Sequence, residues 1–562
     1  MLKRFVCVMF VFALAVVAFV ACGNNNDNGA PDVTADTTAG SDVAREQTDE
    51  ERWFGPFDET VTIRLAVPVN AAHEFLPGES YGYNIWTRAW RDYLNIEVEI
   101  MWEAVHAGGD YETRLNLAIA TGEVPDLIRF ENATQFDNMR TAGRLVDLTD
   151  YFANYAYPVV HELMGLDGGE ALSWGTVGGS LYGLPDIGIM YGSPRMLFMR
   201  RDWFEDTGLD MPTTIEEWFH AARTMADADP ANRFAIGQDN RLLRNHMADL
   251  MGPANAFGAQ PNAWVEDGQG GLVWGTLDTR MMYVLEIYAD LFAQGYIDQG
   301  FTTLTGGPLG EQLTSDRIAA ISSATWLPGW PLAAAFEADG TDWIIQPILP
   351  SETLDGPLRV QADAPAGRLS AVRAGFEHPE AIFKIFNFAT AVLEDNERAR
   401  LDEFHPRGGD SPFGFHFPNP MQNPTTHRNL TNFARYDRNT DFLTQAHCWQ
   451  NIEAFEGWMD GAREGVNWSS WLTWYGDYST WGILTNYIDR GQVVSNLAVG
   501  VQTPTMLTNW ADLIDLEDTF MIEVVTGQRP VSDFEDFFIP TWHAMGGAII
   551  TDEINEWWRE SR

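Results

Sequence analysis

Short apolar runs alternate with longer amphipathic runs between residues 61 and 130. Alternating apolar and polar residues predict strands, whereas apolar residues three and four positions apart predict helices. The predicted strands are Val61–Val67, Ile96–Ile100 and Asp126–Phe130, and the predicted helices between them are Tyr83–Asn95 and Tyr111–Ala120. This order predicts a largely parallel sheet covered by helices. Parallel sheets bind ligands outside the carboxyl ends of their strands, so residues that directly follow strands are the first site candidates.

The same α/β pattern continues along the chain. Arg317–Ser322 and Trp343–Leu349 read as strands, Glu377–Leu393 as a helix, and the chain beyond Asn439 as mainly helical. At roughly 100–200 residues per domain, 562 residues allow two to four domains or two large lobes. Apolar residues make up 45% of the chain, which is enough to fill real cores.

The charge balance excludes several kinds of partner. The chain has 35 basic and 80 acidic residues, with a formal charge of −45. A nucleic-acid partner needs clustered Lys and Arg to displace counterions, and so does electrostatic docking on anionic lipid. Only Lys3 and Lys384 are lysines. An acid-rich, lysine-poor surface suits a protein that stays soluble outside the cytoplasm, although halophilic or genome-composition bias gives the same pattern.

The N-terminus reads as a lipoprotein signal. Residues 1–21 have a basic start and an apolar run, Phe5–Val20, which is shorter than the roughly 20 apolar residues of a spanning helix. Phe19-Val20-Ala21-Cys22-Gly23 resembles the lipobox of bacterial lipoproteins, which implies that Cys22 is acylated and becomes the mature N-terminus. Residues 22–57 are expected to form a flexible tether. The alternative is an ordinary secretory signal with a chance cysteine.

Five segments carry a resemblance to one family. They are Thr121–Ile128, Gly143–Tyr151, Leu181–Pro185, Leu197–Trp218, and Val525–Gly527 with Gly546-Gly547. Their order and spacing resemble those of the lipoprotein-type extracellular solute-binding proteins of ATP-driven sugar importers, which are relatives of maltose-binding protein. Each segment alone is a weak signal, whereas five in the right order are a strong one.

The resemblance implies an α/β fold of the type II periplasmic-binding-protein class, with two lobes, several crossovers and a ligand cleft between the lobes. The first lobe is expected to hold residues 58–180 plus 366–438, and the second 181–365 plus 439–562. Crossovers near 182–185 and 363–367 would act as the hinge. The implied protein is a monomer that captures an oligosaccharide or another small molecule and delivers it to ABC transporter permease subunits. It would be lipid-anchored on the extracellular face of the bacterial cytoplasmic membrane, with no cofactor.

A sugar site needs flat rings for the C–H faces of pyranoses and polar groups for the hydroxyls. Phe130, Glu131 and Asn132 supply a ring, an acceptor and an amide directly after a predicted strand. The resemblance places stacking rings at Phe130 and Trp326. The remaining candidates are Trp330, Asp186 and Tyr191. For the aromatic residues, ordinary packing between the lobes is the alternative.

The window from Trp468 to Trp481 is the richest in aromatic residues. Trp468, Trp471, Tyr475, Tyr478 and Trp481 recur at three- and four-residue spacing, which predicts that they share one face of a helix. That face would either be buried in the second lobe or supply rings to the cleft beside Asp477.

The sequence shows no catalytic signature such as Gly-x-Ser-x-Gly, HExxH or a phosphate-binding loop. We therefore expect no enzyme. A surface-anchored glycoside hydrolase and a carbohydrate-binding adhesin without a transport role remain the alternatives. The resembling family often has a calcium-like loop after the helix that contains Trp218. Here Asp227–Arg233 places an arginine where a glycine or an acid would help, so no metal site is predicted.

Overall fold

The computed structural model describes residues 47–562, except 70–74, 106–109, 131–132, 167–168, 186–193, 244–246, 363–367, 395–403, 405–412, 414, 416, 418, 420, 499–500, 502 and 561–562. One compact unit begins at Thr48 and runs to the C-terminus. Among the residues described, no helix combines the length and the hydropathy that a bilayer-spanning segment requires.

The strands, in chain order, are β1 Val61–Val69, β2 Ile96–Val105, β3 Leu127–Phe130, β4 Thr176–Val177, β5 Ser180–Leu181, β6 Leu184–Pro185, β7 Met196–Arg200, β8 Phe234–Ile236, β9 Trp264–Glu266, β10 Leu272–Trp274, β11 Ile318–Ser323, β12 Trp343–Gln346, β13 Val360–Gln361, β14 Leu369–Val372 and β15 Val493–Val494. They confirm the strands predicted from the alternating pattern.

The helices are α1 Asp49–Phe54, α2 Ile85–Leu94, α3 Asp110–Thr121, α4 Ala133–Thr141, α5 Thr149–Tyr155, α6 Pro158–Gly165, α7 Glu170–Ser173, α8 Arg201–Thr207, α9 Ile215–Asp227, α10 Met251–Ala256, α11 Met281–Ala293, α12 Gly306–Thr314, α13 Ala333–Asp339, α14 Pro379–Glu394, α15 Gln422–Arg435, α16 Ala446–Met459, α17 Gly465–Trp474, α18 Thr480–Asp489, α19 Met506–Val525, α20 Ile539–Trp542 and α21 Ala548–Glu560. Single 3₁₀ or π turns lie at Gly275–Leu277, Phe301–Thr303, Pro328–Leu332, Thr440–Phe442, Phe534–Phe538 and His543–Gly547.

The first sheet has the strand order β2-β1-β3-β14-β6. β1 pairs in parallel with β2 and β3, as the sequence pattern predicts. β14 pairs antiparallel with both β3 and β6, so the sheet is mixed rather than largely parallel. The physical reason is the path of the chain. β14 belongs to a segment that returns from the second sheet and enters in the opposite direction. The ends of β3 and β6 and the start of β14 therefore lie at one edge, where Leu369 pairs with Phe130 and Pro185.

The second sheet has the order β12-β7-β11-β8. β7 runs antiparallel to β11 and β12, whereas β8 and β11 are parallel. Ser323, at the end of β11, pairs with Met196, at the start of β7. The carboxyl ends of β8, β11 and β12 therefore meet at a single edge of this sheet.

Each sheet has its own buried apolar core. The core of the first sheet forms around β1, β3 and α14, and the larger core of the second sheet also gathers the C-terminal helices. Trp343 of β12, Trp218 of α9 and Trp542 of α20 have no exposed surface in this second core. Thr214 caps the N-terminus of α9 in a capping box closed by Glu217. The lobe boundaries themselves stay predictions.

Asp126 holds three strands of the first sheet together. Its carboxylate accepts hydrogen bonds from the backbone N–H and guanidinium of Arg64 on β1, and from the guanidinium of Arg373 directly after β14. Burial acts to raise the pKa of this carboxyl, but the hydrogen bonds from the two arginines outweigh it, so the pKa lies below its usual value. Asp126, in the Thr121–Ile128 segment directly before β3, therefore has a structural role.

The first helix lies inside the stretch that the sequence assigns to the tether. α1 packs on α14, where Lys384 Nζ donates to the carbonyls of Glu51 (2.7 Å) and Gly55 (2.6 Å). The Lys384 side chain is buried, and burial lowers its pKa to about 8. Lys384 thus binds the Gly55 carbonyl just beyond α1 and shares the Glu51 carbonyl with the backbone N–H of Gly55.

Candidate ligand-binding site

The edge of the first sheet does not present the ring that the sequence predicts there. Phe130 ends β3, but its side chain has no exposed surface and meets Phe136 edge to face at 5.7 Å. A ring buried in this way has no free face for a sugar. The stacking role of Phe130 stays a prediction, and its burial counts against it.

Several predicted site residues fall outside the part of the chain that the structure describes. They are Cys22, Glu131, Asn132, Asp186 and Tyr191. Their roles in lipidation and ligand binding stay predictions.

The edge of the second sheet presents two exposed tryptophans. Trp326 follows the end of β11, and Trp330 lies in the turn Pro328–Leu332. Their side chains are 41% and 52% exposed, and their ring centroids are 6.2 Å apart at an interplanar angle of 29°. A Cβ at Gly310 would lie 3.3 Å from the Trp330 ring, so α12 approaches this ring closely. The structure therefore brings Trp326 and Trp330 together as a partly stacked pair in contact with solvent.

A buried ion pair lies behind this edge. Arg195, directly before β7, donates from Nε to both carboxylate oxygens of Asp249 (3.0 and 3.1 Å), and Nη2 donates to Oδ2 (2.5 Å). Neither side chain is exposed by more than 1%. Asp249 also accepts from the backbone N–H of Met251, at the start of α10. Because a buried pair is strongly destabilised when one partner is lost, this contact fixes α10 against the sheet edge.

A cavity of about 500 Å³ lies between the β9–β10 hairpin, the loop after β15 and the start of α19. Three tryptophans border it: Trp264 of β9 and Trp274 of β10, which are 2% and 4% exposed, and the half-buried Trp510 of α19. The Trp264–Trp274 and Trp274–Trp510 ring centroids are 5.4 and 5.0 Å apart. The other lining residues are Asn262, Asn496, Ala498, Val501, Met506, Leu507 and Ala511. None of the lining residues is charged. We call this cavity the tryptophan pocket.

A buried carboxylate orients one wall of the tryptophan pocket. Glu517 of α19 has no exposed surface, and its Oε1 accepts from Trp274 Nε1 at 2.8 Å and from Trp542 Nε1 at 2.9 Å. A buried acceptor of this kind fixes the orientation of the indole that it binds. The Trp274 ring is therefore held in place before any ligand arrives.

The amide of Asn496 holds the loop that closes another side of the tryptophan pocket. Asn496 Oδ1 accepts from the backbone N–H groups of Trp264 (3.0 Å) and Ala498 (3.1 Å). This loop directly follows β15, which pairs with β13. After β13 the chain passes to β14 of the first sheet. The tryptophan pocket thus lies next to the β13–β15 pair, and β13 is the last strand before the chain enters the first sheet as β14.

The aromatic window from Trp468 to Trp481 does not form one helix face. α17 ends at Trp474 because Tyr475 is extended and Gly476 has a positive φ of 78°, and α18 begins only at Thr480. Trp468, Trp474 and Trp481 are buried, whereas Tyr478 is 74% exposed. The prediction of a continuous stripe is therefore wrong. Most of these rings belong to the second core.

No group of His, Cys, Asp or Glu that could hold a metal ion is present among the described residues. In the loop after α9, Asp227 accepts from the hydroxyl of Tyr296, and Asp229 accepts from the Asn232 amide. Both carboxylates thus have protein partners.

Comparison with known proteins identifies the family. The sequence model of the bacterial extracellular solute-binding proteins matches residues 78–392, which is more than half of the chain. The chain belongs to this family of binding proteins.

Two curated relatives match only parts of the chain. Lipoprotein LipO of Bacillus subtilis (strain 168) is 23% identical over 280 residues, covering 48% of this chain and 52% of that protein. The polygalacturonan/rhamnogalacturonan-binding protein YtcQ of the same organism is 24% identical over 183 residues, covering 31% and 33%. The chain thus spans about half the length of the first relative and a third of the second.

The solved structures show the fold. An HMO-binding, ABC-transporter-associated solute-binding protein from Bifidobacterium longum infantis has a TM-score of 0.56 and 15% identity, covering 89% of this chain and 99% of that one. The alginate-binding protein AlgQ2 has a TM-score of 0.56 and 13% identity, covering 90% of this chain and 99% of that one. The two-lobed α/β fold of solute-binding proteins expected from the sequence is therefore confirmed.

The sequence-based interpretation missed the tryptophan pocket. Trp264, Trp274 and Trp510 come from segments up to 246 positions apart, and none of the three directly follows a strand of either main sheet. The available signal was the total of 22 tryptophans, which exceeds what packing alone usually recruits. The total number of tryptophans does not indicate which of them lie together in the folded protein.

Proposed function

We propose that this protein captures a neutral oligosaccharide outside the bacterial cell and delivers it to the membrane permease of an ABC importer. The observation that carries the proposal is the tryptophan pocket. Its uncharged lining offers the half-buried ring of Trp510 and two asparagines, and the buried Trp264 and Trp274 lie behind them. Aromatic faces bind the C–H faces of pyranoses, and amides bind hydroxyl groups.

The names of the relatives support a saccharide ligand. YtcQ is named for binding polygalacturonan and rhamnogalacturonan, and the Bifidobacterium protein is described as HMO-binding and ABC-transporter-associated. For this chain the formal charge of −45 and the uncharged pocket lining both favour a neutral sugar over a uronic or phosphorylated one.

Trp326 and Trp330 would contribute a second stacking surface at the edge of the second sheet, since both rings are exposed. We further propose that Glu131, Asn132, Asp186 and Tyr191 supply hydroxyl partners. A ligand that touches both lobes binds the closed state better than the open one, and this difference in affinity would drive closure.

Lipid anchoring through Cys22 is part of the proposal. A Cys22→Ser variant should remain unprocessed by the lipoprotein signal peptidase and should lose the anchored position on the extracellular face. Normal cleavage and membrane attachment of this variant would contradict the proposed anchor.

The proposal is tested with the folded chain and a panel of neutral oligosaccharides. A bound sugar should raise the melting temperature, because it binds only the folded state. Chromatography of the same mixtures should show the sugars intact after incubation. Release of shorter products would support a glycoside hydrolase instead.

Transport itself needs a separate measurement. Deletion of the gene should abolish uptake of the bound sugar, and the wild-type protein should restore it. Saturable sugar binding with unchanged uptake would support an adhesin instead. The absence of a melting shift with every sugar of the panel would contradict the proposed ligand class.

A further inference from the structure

We infer that Gly310 is a positioning residue for sugar binding, because it lets the Trp330 ring lie against α12 and pair there with the Trp326 ring. The two exposed rings would then form one prealigned stacking platform. This inference rests on the proposed function, since it assumes that these rings bind a saccharide. Gly310 would touch no ligand itself and would act only through Trp330.

Gly310 is buried in the interior of α12. A glycine at such a position destabilises a helix relative to alanine, because glycine loses more backbone freedom on folding. The backbone of Gly310 is helical and its φ is not positive, so the local conformation does not require a glycine. What the glycine provides here is therefore space rather than conformational freedom.

The Trp330 ring occupies that space. A Cβ at Gly310 would lie 3.3 Å from Cζ2 and 3.4 Å from Cη2 of the ring, and 3.6 Å from Cβ of Pro331. Carbon atoms pack best at about 3.5–4.0 Å, so a side chain at position 310 would push the ring away. Gly307, three residues earlier in α12, differs, because a Cβ there would meet nothing within 4 Å.

The turn Pro328–Leu332 that carries Trp330 is fixed by backbone contacts. The carbonyl of Trp326 accepts from the N–H groups of Gly329 (3.0 Å) and Trp330 (3.3 Å). Directly after the turn, Ala333 begins α13, and a Cβ at Gly465 of α17 would lie only 2.1 Å from the Ala333 carbonyl oxygen. A side chain at Gly310 would therefore displace the Trp330 ring rather than the turn.

A displaced Trp330 ring would weaken binding without disturbing a core. The ring is 52% exposed, so it has room to move towards solvent. Movement would end its present alignment with Trp326, at 29° between the ring planes and 6.2 Å between the centroids. A sugar would then have to reorder the ring as it binds, and the ordering of a side chain on binding lowers affinity.

Titration calorimetry with maltotriose, cellotriose and xylotriose tests this inference. For whichever of the three sugars the wild type binds most tightly, we expect Gly310→Ala to bind about threefold more weakly. Gly310→Leu should bind about tenfold more weakly, which approaches the loss expected for Trp330→Ala. The melting temperature of Gly310→Ala should be unchanged or higher, because alanine favours the helix. General loosening of the fold would instead lower affinity and melting temperature together.

Two controls isolate the contact between Gly310 and Trp330. Gly307→Leu places the same side chain on the same helix where it meets nothing, so this variant should keep the wild-type affinity. In a Trp330→Ala background, Gly310→Leu should cause no further loss, because the ring through which it acts is absent. If Gly310→Leu does not fold, Gly310→Ala is compared in the same two backgrounds.

The outcomes separate the inference from the proposed function. Wild-type affinity in the Gly310 variants would overturn the inference and leave the proposed function intact. So would an equal loss of affinity from the Gly310 substitution with and without the Trp330 ring. If the wild type binds none of the three sugars and no member of the neutral panel, the proposed function is overturned, and the inference with it.

Discussion

The tryptophan pocket and the window from Trp468 to Trp481 contain the same kind of residue but use it differently. In the window, Trp468 donates from Nε1 to Asp342 and stacks on Phe336 at 4.9 Å, inside the second core. In the pocket, Trp264, Trp274 and Trp510 contact one another at centroid distances of 5.0–6.4 Å and together border a cavity. The difference teaches that a dense local run of aromatic residues indicates packing, whereas the cavity is assembled from distant segments.

Removal of a ring from the window should have the largest effect on stability. Trp468→Ala should lower the free energy of unfolding by about 3–5 kcal/mol. The substitution leaves a cavity beside Phe336, and it removes the indole N–H that donates to the Asp342 carboxylate. Denaturant unfolding measures this loss. Trp468→Phe, which retains the ring but not the N–H, should lose less. If the Trp468→Ala protein kept its stability but bound sugar more weakly, Trp468 would belong to the binding site rather than to the core.

Removal of a ring from the tryptophan pocket should affect binding instead. Trp510 is only half-buried, so Trp510→Ala should fold, but it should lose about 1–3 kcal/mol of sugar affinity, which is roughly ten- to a hundredfold. Titration calorimetry measures the affinity, and a melting curve checks the fold. Trp326→Ala tests the exposed pair in the same way. Full affinity in both variants would exclude both aromatic surfaces as binding sites.

Lowering the pH should decrease the stability of the fold without changing the sugar affinity. The folded-state pKa of Asp126 is depressed, so its contribution to stability is complete above the unfolded value of about 3.8 and is lost as the pH falls through the folded value. The melting temperature should therefore decrease below about pH 4, and Asp126→Asn should flatten this decrease. No lining residue of the tryptophan pocket titrates there, so the sugar affinity of the folded protein should stay constant. An affinity that follows the acid transition while the fold is intact would contradict this separation.

The smallest effect is expected at Tyr478, the most exposed ring of the window. Tyr478→Ala should change the free energy of unfolding by less than about 0.5 kcal/mol, because an exposed side chain loses little burial. Its sugar affinity should equal that of the wild type. A large loss of affinity would place this ring in the binding site and break the contrast with the pocket.

Much of the fold is predictable because local patterns determine it. The alternating runs of β1 and β2 correspond to strands with one more deeply buried face, whereas the short apolar run of β3 is buried on both faces. The capping residues Thr214 and Glu217 mark the start of α9. The antiparallel entry of β14 is not predictable in this way, because its direction depends on a path through a second sheet that no local pattern records.

The site is less predictable, for a related reason. Trp326 and Trp330 could be named because they follow a strand, and the structure places both at the surface. Phe130 also follows that rule, but Phe136 covers it from the next helix. Trp264 and Trp510 meet only through the packing of a hairpin on a C-terminal helix, so their meeting depends on the tertiary structure.

The chemical reactivity of Lys384 can report when the contact between α1 and α14 opens. Lys384 is the only lysine beyond Lys3, and its amine is buried and hydrogen-bonded at the contact between α1 and α14. An amine-directed acylating reagent should therefore not modify Lys384 in the folded chain. It should add a single acyl group to this amine after the contact between α1 and α14 opens. The mass added at Lys384 over time would then measure the opening rate of one helix contact, without any engineered probe.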